Sequence, residues 1–149
     1  MFASTLKQYR RPAGLAMAGA AMLLAGCASM LGPTDSPAWY ESQKPTLTER
    51  AEGRWKARIA GDIQAEYGYL SPSYRDVVSK QQYQARIGRE VDWLVARVGD
   101  IRYDSPTVAS VMVEVTYRIF VQNGTEVKSV QVSPEKWLYI DGGWWYTSK

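Results

Sequence analysis

The most regular hydrophobic pattern of the chain is TVASVMVEVTYRIFVQNGTEVKSVQV, residues 107–132. Apolar side chains occupy every second position of its first half, at Val111, Val113, Val115, Tyr117, Ile119 and Val121. Such an alternation is typical of a strand that buries one face. Asn123-Gly124 follows, and this dipeptide favours a type I′ turn. We therefore expect residues 107–121 and 126–132 to form a long antiparallel hairpin.

Shorter strand candidates flank this hairpin on both sides: residues 93–98, 101–103, 136–140 and 144–147. Gly99-Asp100 predicts a bend between the first two, and Asp141-Gly142 predicts a second hairpin from the last two. Pro134 cannot donate a hydrogen bond to a strand ladder, so we expect its segment at a sheet edge or a bulge.

Helical patterns precede the strands. Thr46-Leu47-Thr48-Glu49 matches a capping box, the side-chain signature of a helix N-terminus. The apolar residues that follow recur at steps of four, at Ala51, Trp55, Ile59, Ile63 and Tyr67. This spacing predicts a helix of about five turns that starts near Thr46. A short helix or a turn over residues 73–78 is expected next, followed by a helix that a second capping box, Ser79–Gln82, opens.

Helices followed by antiparallel strands predict an α+β fold, in which N-terminal helices pack on a curved antiparallel sheet. The order of elements resembles the cone-shaped fold of nuclear transport factor 2 and ketosteroid isomerase. Three stretches carry the resemblance: AGDIQAEY (60–67), YLSPSYR (69–75) and KWLYIDGGWWY (136–146). It implies that residues 46–149 form one nuclear transport factor 2-like domain.

The N-terminus has the pattern of a secretory signal. Lys7, Arg10 and Arg11 precede an uncharged run, and Leu24-Ala25-Gly26-Cys27 resembles a bacterial lipobox. The resemblance implies that Cys27 is acylated and that residues 1–26 are removed as a signal peptide. An uncleaved membrane helix and plain secretion are the alternatives, because the uncharged run approaches the roughly 20 residues of a membrane span.

Residues 27–45 are expected to be the lipidated cysteine and a flexible tether, because prolines interrupt them. Trp39-Tyr40 is expected to dock on the domain, or else at the bilayer surface. Ala28 follows the cysteine, where an aspartate would retain such a lipoprotein at the inner membrane. The expected location is therefore the outer membrane, with the domain facing the periplasm; the inner membrane is the alternative.

Composition excludes several kinds of site. The chain has one cysteine and no histidine, so Ser-His-Asp triads, Cys-His dyads and the usual zinc sites are excluded. We expect no metal and no cofactor. Loss of residues 1–26 leaves 15 basic and 15 acidic residues, and such a neutral chain lacks the basic patch that nucleic acid requires.

Aromatic residues are the remaining candidates for a site. We expect four of them to line a pocket at the open end of the cone: Trp55, Tyr67, Tyr74 and Trp93. Three more are expected to form an interface on the last hairpin: Trp137, Trp144 and Trp145. Filling of the core is the alternative for both sets.

The expected function is that of a membrane-anchored, non-enzymatic module. It would bind the lipid bilayer through Cys27 and, through its domain, an envelope protein or a second copy of the chain. A carrier of a small apolar ligand is the first alternative. An isomerase-like or dehydratase-like enzyme is the second, although no aspartate of this chain matches the catalytic aspartate of the isomerase branch by position.

Overall fold

The computed structural model describes residues 32–87 and 91–147, in which helices precede strands. The helices are α1 (Pro37–Ile59), α2 (Ile63–Tyr67), α3 (Pro72–Val77) and α4 (Lys80–Arg86). The strands are β1 (Asp92–Ser105), β2 (Val108–Phe120), β3 (Glu126–Ile140) and β4 (Gly143–Thr147). This order confirms the α+β class. The expected signal peptide and Cys27 lie outside the described residues.

Helix α1 begins at Pro37, so the prediction that the folded part starts near Thr46 is wrong, as is a flexible tether over residues 37–45. Ser36 caps the helix by accepting a hydrogen bond from the Trp39 amide (3.2 Å). Pro37 occupies the first turn, where its missing N–H costs nothing. Pro45 lies inside the helix and removes one of its backbone hydrogen bonds.

Tertiary contacts hold this early start of α1. The Trp39 indole donates to the Pro106 carbonyl (3.2 Å) and meets the Tyr139 ring edge-on at 5.3 Å. The Tyr40 ring stacks on Tyr103 at 4.6 Å. Of the two predicted positions for Trp39-Tyr40, docked on the domain or at the bilayer surface, the structure shows the first.

The single helix predicted through Tyr67 is divided. Gly61 has a positive φ of 70°, which ends α1, and Asp62 then caps α2 by accepting from the Ala65 amide. The capping box predicted at Ser79 and Gln82 is confirmed, with both hydrogen bonds present.

The four strands form one sheet in the order β1-β2-β3-β4, with neighbours antiparallel. The predicted bend at Gly99-Asp100 is a register shift inside the continuous strand β1. Pro134 lies opposite Met112 of β2, beyond the part of β3 that pairs with β4 (Lys136–Ile140). Its prediction as an edge residue is confirmed for the described residues.

The predicted type I′ turn at Asn123-Gly124 is wrong, because such a turn needs a positive φ at both central residues. Gly124 has one, and its amide donates to the Val121 carbonyl (2.8 Å). Asp141, by contrast, is the one non-glycine residue with positive φ in the described part of the chain. With Gly142 it makes the tight turn between β3 and β4, at φ values of 49° and 82°.

Two apolar clusters stabilise the fold. The larger lies between α1 and the sheet: Leu47, Ala51, Trp55, Ala109, Val111, Val113, Val115, Trp137 and Trp144. The smaller lies among the short helices: Leu70, Val78 and Tyr83. Residues 69–71 join the two, because Leu70 forms a parallel bridge with Tyr146 at the free edge of β4.

Gly53 allows the segment of residues 69–71 to approach α1 closely. A Cβ atom at Gly53 would lie 2.4 Å from the Tyr69 hydroxyl oxygen and 3.1 Å from its ring. Real Cβ atoms essentially never come this close to another heavy atom, so a side chain at position 53 must displace Tyr69.

Gly53→Ala is therefore expected to destabilise the protein by about 1–3 kcal/mol, as overpacking does. In an unobstructed helix the same change stabilises by up to about 1 kcal/mol. Urea unfolding measures the sign, and adding Tyr69→Phe to the Gly53→Ala variant should recover part of the loss. A Gly53→Ala variant as stable as the parent would contradict the contact.

Candidate functional site

Three charged side chains are buried where α1, α2 and β3 meet. Arg54 and Glu66 are each 1% exposed, and Glu135 is buried beside them. Residues directly opposite in an antiparallel pair share a face. Because Glu135 lies opposite the fully buried Val111, the register of β2 and β3 directs this carboxylate into the core.

Glu135 uses both of its carboxylate oxygens. Oε1 accepts from Arg54 Nη1 (2.5 Å) and from the Trp55 indole (2.7 Å). Oε2 accepts from the Trp137 indole (3.0 Å). Burial raises the pKa of Glu135 above its usual value, and Arg54 together with the two indole hydrogen bonds offsets part of that rise.

Arg54 also faces Glu66, with 3.6 Å between Nη2 and Oε1, and its guanidinium lies 3.7 Å from the centre of the Tyr146 ring. The Arg58 Nε atom is a further 3.6 Å neighbour of Glu66 Oε1. The Tyr83 hydroxyl donates to that oxygen (2.8 Å). Burial, followed by the charge of Glu66, raises the pKa of Tyr83. Two arginines and two glutamates thus form a group with no net formal charge.

A cleft of about 500 Å³ opens beside this group, between the end of α1, α2, α4 and the start of β1. Charged residues form much of its wall: Arg58, Glu66, Asp92 and Arg118. Asp92 and Arg118 are paired at 2.9 Å. Glu66 Oε2 is buried and has no hydrogen-bond partner among the described residues. Glu66 therefore retains one unused acceptor oxygen.

Glu135 does not line this cleft. Its pKa is raised, but both of its oxygens are occupied by side chains of the core. A general acid or base must be within hydrogen-bond reach of the substrate proton. The geometry therefore gives Glu135 a structural role in the core.

The four residues predicted to line a pocket lie in two places. Trp55 and Trp93 meet edge-on at 5.4 Å, and Trp93 lines the cleft. Tyr67 and Tyr74 instead pack around Tyr83 in the smaller apolar cluster, at 5.8 and 6.4 Å. The Tyr67 hydroxyl is used internally, since it donates to the Val78 carbonyl (2.7 Å). The four rings do not share one pocket.

The predicted interface on the last hairpin is wrong for two of its three residues. Trp137 and Trp144 are 0% exposed, because the core-facing positions of β3 and β4 lie beneath α1. The Trp144 indole reaches Gln43 of α1 (3.3 Å). Trp145 points to the other side of β4, is partly exposed, and contacts arginines of α1 and α3.

The sequence patterns missed Arg54, Glu66 and Glu135. Glu135 precedes Trp137 by two residues, so strand periodicity places both side chains on the same face of the sheet. A charged residue on the face that carries a tryptophan is a usable signal of a buried ion pair. Arg54 lies beside Trp55 at the border of the apolar stripe of α1. An arginine at such a position is usually exposed, so the sequence gives no signal that Arg54 is buried.

Two further kinds of site are absent from residues 32–87 and 91–147. None of the helices there combines the length and apolar character that crossing a bilayer requires. No group of three or more metal-ligating side chains occurs within the same residues.

No protein-family model and no curated protein matches the chain. Solved structures are similar at low identity. A SEC-C motif-containing protein of Rhodopseudomonas palustris is 17% identical with a TM-score of 0.49, covering 64% of this chain and 70% of that chain. The hub homology domain of CaMKII from Chlamydomonas reinhardtii is 18% identical with a TM-score of 0.48, covering 70% and 92%. An NTF2-like transpeptidase of Campylobacter jejuni is 15% identical with a TM-score of 0.44, covering 68% and 96%.

Arg54→Met should lower the free energy of unfolding by about 3–5 kcal/mol, because it leaves two buried carboxylates without their shared cation. Arg97→Met is the matched control, since Arg97 is exposed and has no ion pair among the described residues; its cost should stay within about 0.5 kcal/mol. Equal losses in the two variants, measured by urea unfolding, would show that the buried pair does not stabilise the fold.

Proposed function

We propose that the chain is a lipid-anchored, non-enzymatic binding module of the bacterial cell envelope that pairs with a second copy of itself. Its domain is assigned in this proposal to the nuclear transport factor 2-like cone. The N-terminal helices, the antiparallel meander and the sequence stretches 60–67, 69–75 and 136–146 support that assignment.

The filled interior favours a binding module over a carrier of apolar ligands. Trp55, Trp137 and Trp144 occupy the space between α1 and the sheet, and Arg54 and Glu135 complete it. Sites for apolar small molecules are concave and lined mainly by hydrophobic side chains. The cleft beside α2 has charged walls instead. A second hollow, of about 660 Å³ between α1 and β1, is lined by Trp55, Leu94 and Ala96 but also by the charged Glu49, Glu52 and Lys56. An apolar carrier is therefore the weaker proposal.

The observation that carries the proposal is the outer face of the sheet, the side turned away from α1. The register places Val95, Thr116 and Val130 side by side across three strands, with Val132 in the next row. Val130 and Val132 are 57% and 61% exposed. Contiguous exposed apolar surface of this kind marks interaction sites.

A second copy fits this face because its charges nearly balance. Nine of the described charged residues share it: Asp92, Arg97, Arg102, Asp104, Glu114, Arg118, Glu126, Lys128 and Lys136. Four are acidic and five are basic, so the face complements a copy of itself better than a strongly charged partner. Strand dimensions give three strands of this length a face of roughly 600 Å², comparable to the roughly 800 Å² per partner of a standard interface.

The proposed attachment to the membrane rests on the lipobox-like stretch ending at Cys27. Because α1 starts at Pro37, fewer than ten residues separate the acylated cysteine from the folded domain. Such a segment reaches at most about 35 Å, so the domain would remain close to the bilayer.

Cys27→Ala tests the anchor. The variant should lose labelling by a fatty-acid analogue and accumulate as the unprocessed precursor, because the acylated thiol is required before cleavage. Immunoblotting of membrane and soluble fractions follows both effects. A variant that is still cut and released like the parent would contradict lipidation.

Thiol crosslinking in cells tests the pairing, since an acylated Cys27 leaves no other thiol. Val130→Cys should give a dimer of the chain with a short bismaleimide, and adding Val132→Lys should reduce its yield severalfold. Lys44→Cys, exposed on α1, is the matched control and should give none. If the Val130→Cys variant crosslinks to a different protein, or gives no product at all, self-pairing is contradicted.

A further inference from the structure

Arg50 and Arg75 converge on one aromatic ring at the edge of the sheet. Their guanidinium carbons lie 4.7 and 5.1 Å from the centre of the Trp145 ring, and Arg50 is also 5.1 Å from the Tyr69 ring. These four residues are called the arginine cluster below. Arginine commonly stacks on aromatic faces in this way, but here two like charges share the same indole.

Neither arginine of the cluster is neutralised. No described carboxylate lies within 4 Å of either guanidinium, although Glu49 and Asp76 are their sequence neighbours. Three nitrogen atoms, Nε and Nη2 of Arg50 and Nε of Arg75, are buried without a hydrogen-bond partner in the described residues. Burial lowers the pKa of Arg50, and the charge of Arg75 adds to this effect.

The fold holds the cluster in place. Arg50 belongs to α1, and Gly53 one turn later allows Tyr69 to lie against that helix. The amide of Tyr146 donates to the Tyr69 carbonyl (2.8 Å), which fixes Tyr69 beside β4 and therefore beside Trp145. Arg75 follows on α3, whose cap Ser71 also bonds to Tyr146 (3.0 Å).

The other buried or clustered arginines face carboxylates, which the arginine cluster lacks among the described residues. Arg54 and Arg58 face Glu66 and Glu135, and Arg118 faces Asp92 and Glu126. Each of those groups contains its own anions. The arginine cluster brings two positive charges to one ring but contains no anion of the described chain.

We propose that the arginine cluster binds a phosphate-type oxyanion, from free phosphate or from the headgroup of a phospholipid. Guanidinium N–H groups donate charge-assisted hydrogen bonds to phosphate oxygens. Because the two guanidinium carbons lie 4.7 and 5.1 Å from the centre of the Trp145 ring, an anion held at this ring would be attracted by both positive charges. This inference does not depend on the proposed dimer, whose face lies on the rows of Val95 and Val132.

Isothermal titration of the purified full chain with sodium phosphate, at constant ionic strength, tests the site. Arg50→Gln/Arg75→Gln should weaken binding about tenfold or more, since it removes charge-assisted hydrogen bonds. Lys56→Gln/Arg86→Gln is the matched control: it removes the same charge from two exposed positions and should leave the affinity unchanged. Circular dichroism in phosphate-free buffer establishes whether both double variants are folded. If Arg50→Gln/Arg75→Gln is unfolded, the single variant Arg75→Gln replaces it in the titration.

A second titration distinguishes the two sources of phosphate. Soluble dihexanoyl-phosphatidylglycerol binding at least about tenfold more tightly than phosphate, with dihexanoyl-phosphatidylcholine inactive, would identify a lipid headgroup; equal or weaker binding would identify free phosphate. The proposal is overturned if neither anion binds, or if the two double variants lose affinity equally.

Discussion

The contact between Arg54 and Glu135 constrains the rest of the structure. A guanidinium and a carboxylate removed from water are tolerated only when they are paired and their remaining hydrogen-bonding groups are used. Glu135 meets this condition through the Trp55 and Trp137 indoles. Arg54 meets most of it through Glu66 and the Tyr146 ring, and its Nε atom has no hydrogen-bond partner among the described residues. These partners come from α1, α2, β3 and β4. The charges are therefore compensated only when all four elements are in place, which couples the helices to the sheet.

This network also decides where a ligand can bind. The indoles of Trp55 and Trp137 donate hydrogen bonds to Glu135, so these two large side chains fill much of the interior between α1 and the sheet. Recognition is left to surfaces: the charged cleft beside α2, the aliphatic outer face, and the arginine cluster at the edge of β4. The interior provides rigidity, and a rigid support lowers the entropic cost of binding on such surfaces.

The sequence predicted the elements whose causes are local. Alternation in residues 107–121 corresponds to β2, and the Ser79–Gln82 capping box does open α4. The start of α1 was missed because its prolines are typical of a tether, whereas the contact that holds it joins Trp39 to Pro106, 67 residues away. The buried charges were missed for the same reason, since 81 residues separate Arg54 from Glu135. The sequence placed Trp137 and Trp144 on the correct hairpin. That α1 packs over their face of the hairpin and buries them is evident only from the structure.

Arginine occurs in several electrostatic environments in this domain, and the residue type alone does not separate them. Arg54 is compensated in the core and Arg118 at the surface, while Arg50 and Arg75 are held together without an anion among the described residues. Glu49 and Glu52 of α1 lie at its surface, and a carboxylate in water needs no protein partner. A half-buried guanidinium beside a second one is different, because it has lost part of its hydration and gains repulsion. An anion added at the arginine cluster would therefore lower its electrostatic free energy, because it would offset both the repulsion and the lost hydration.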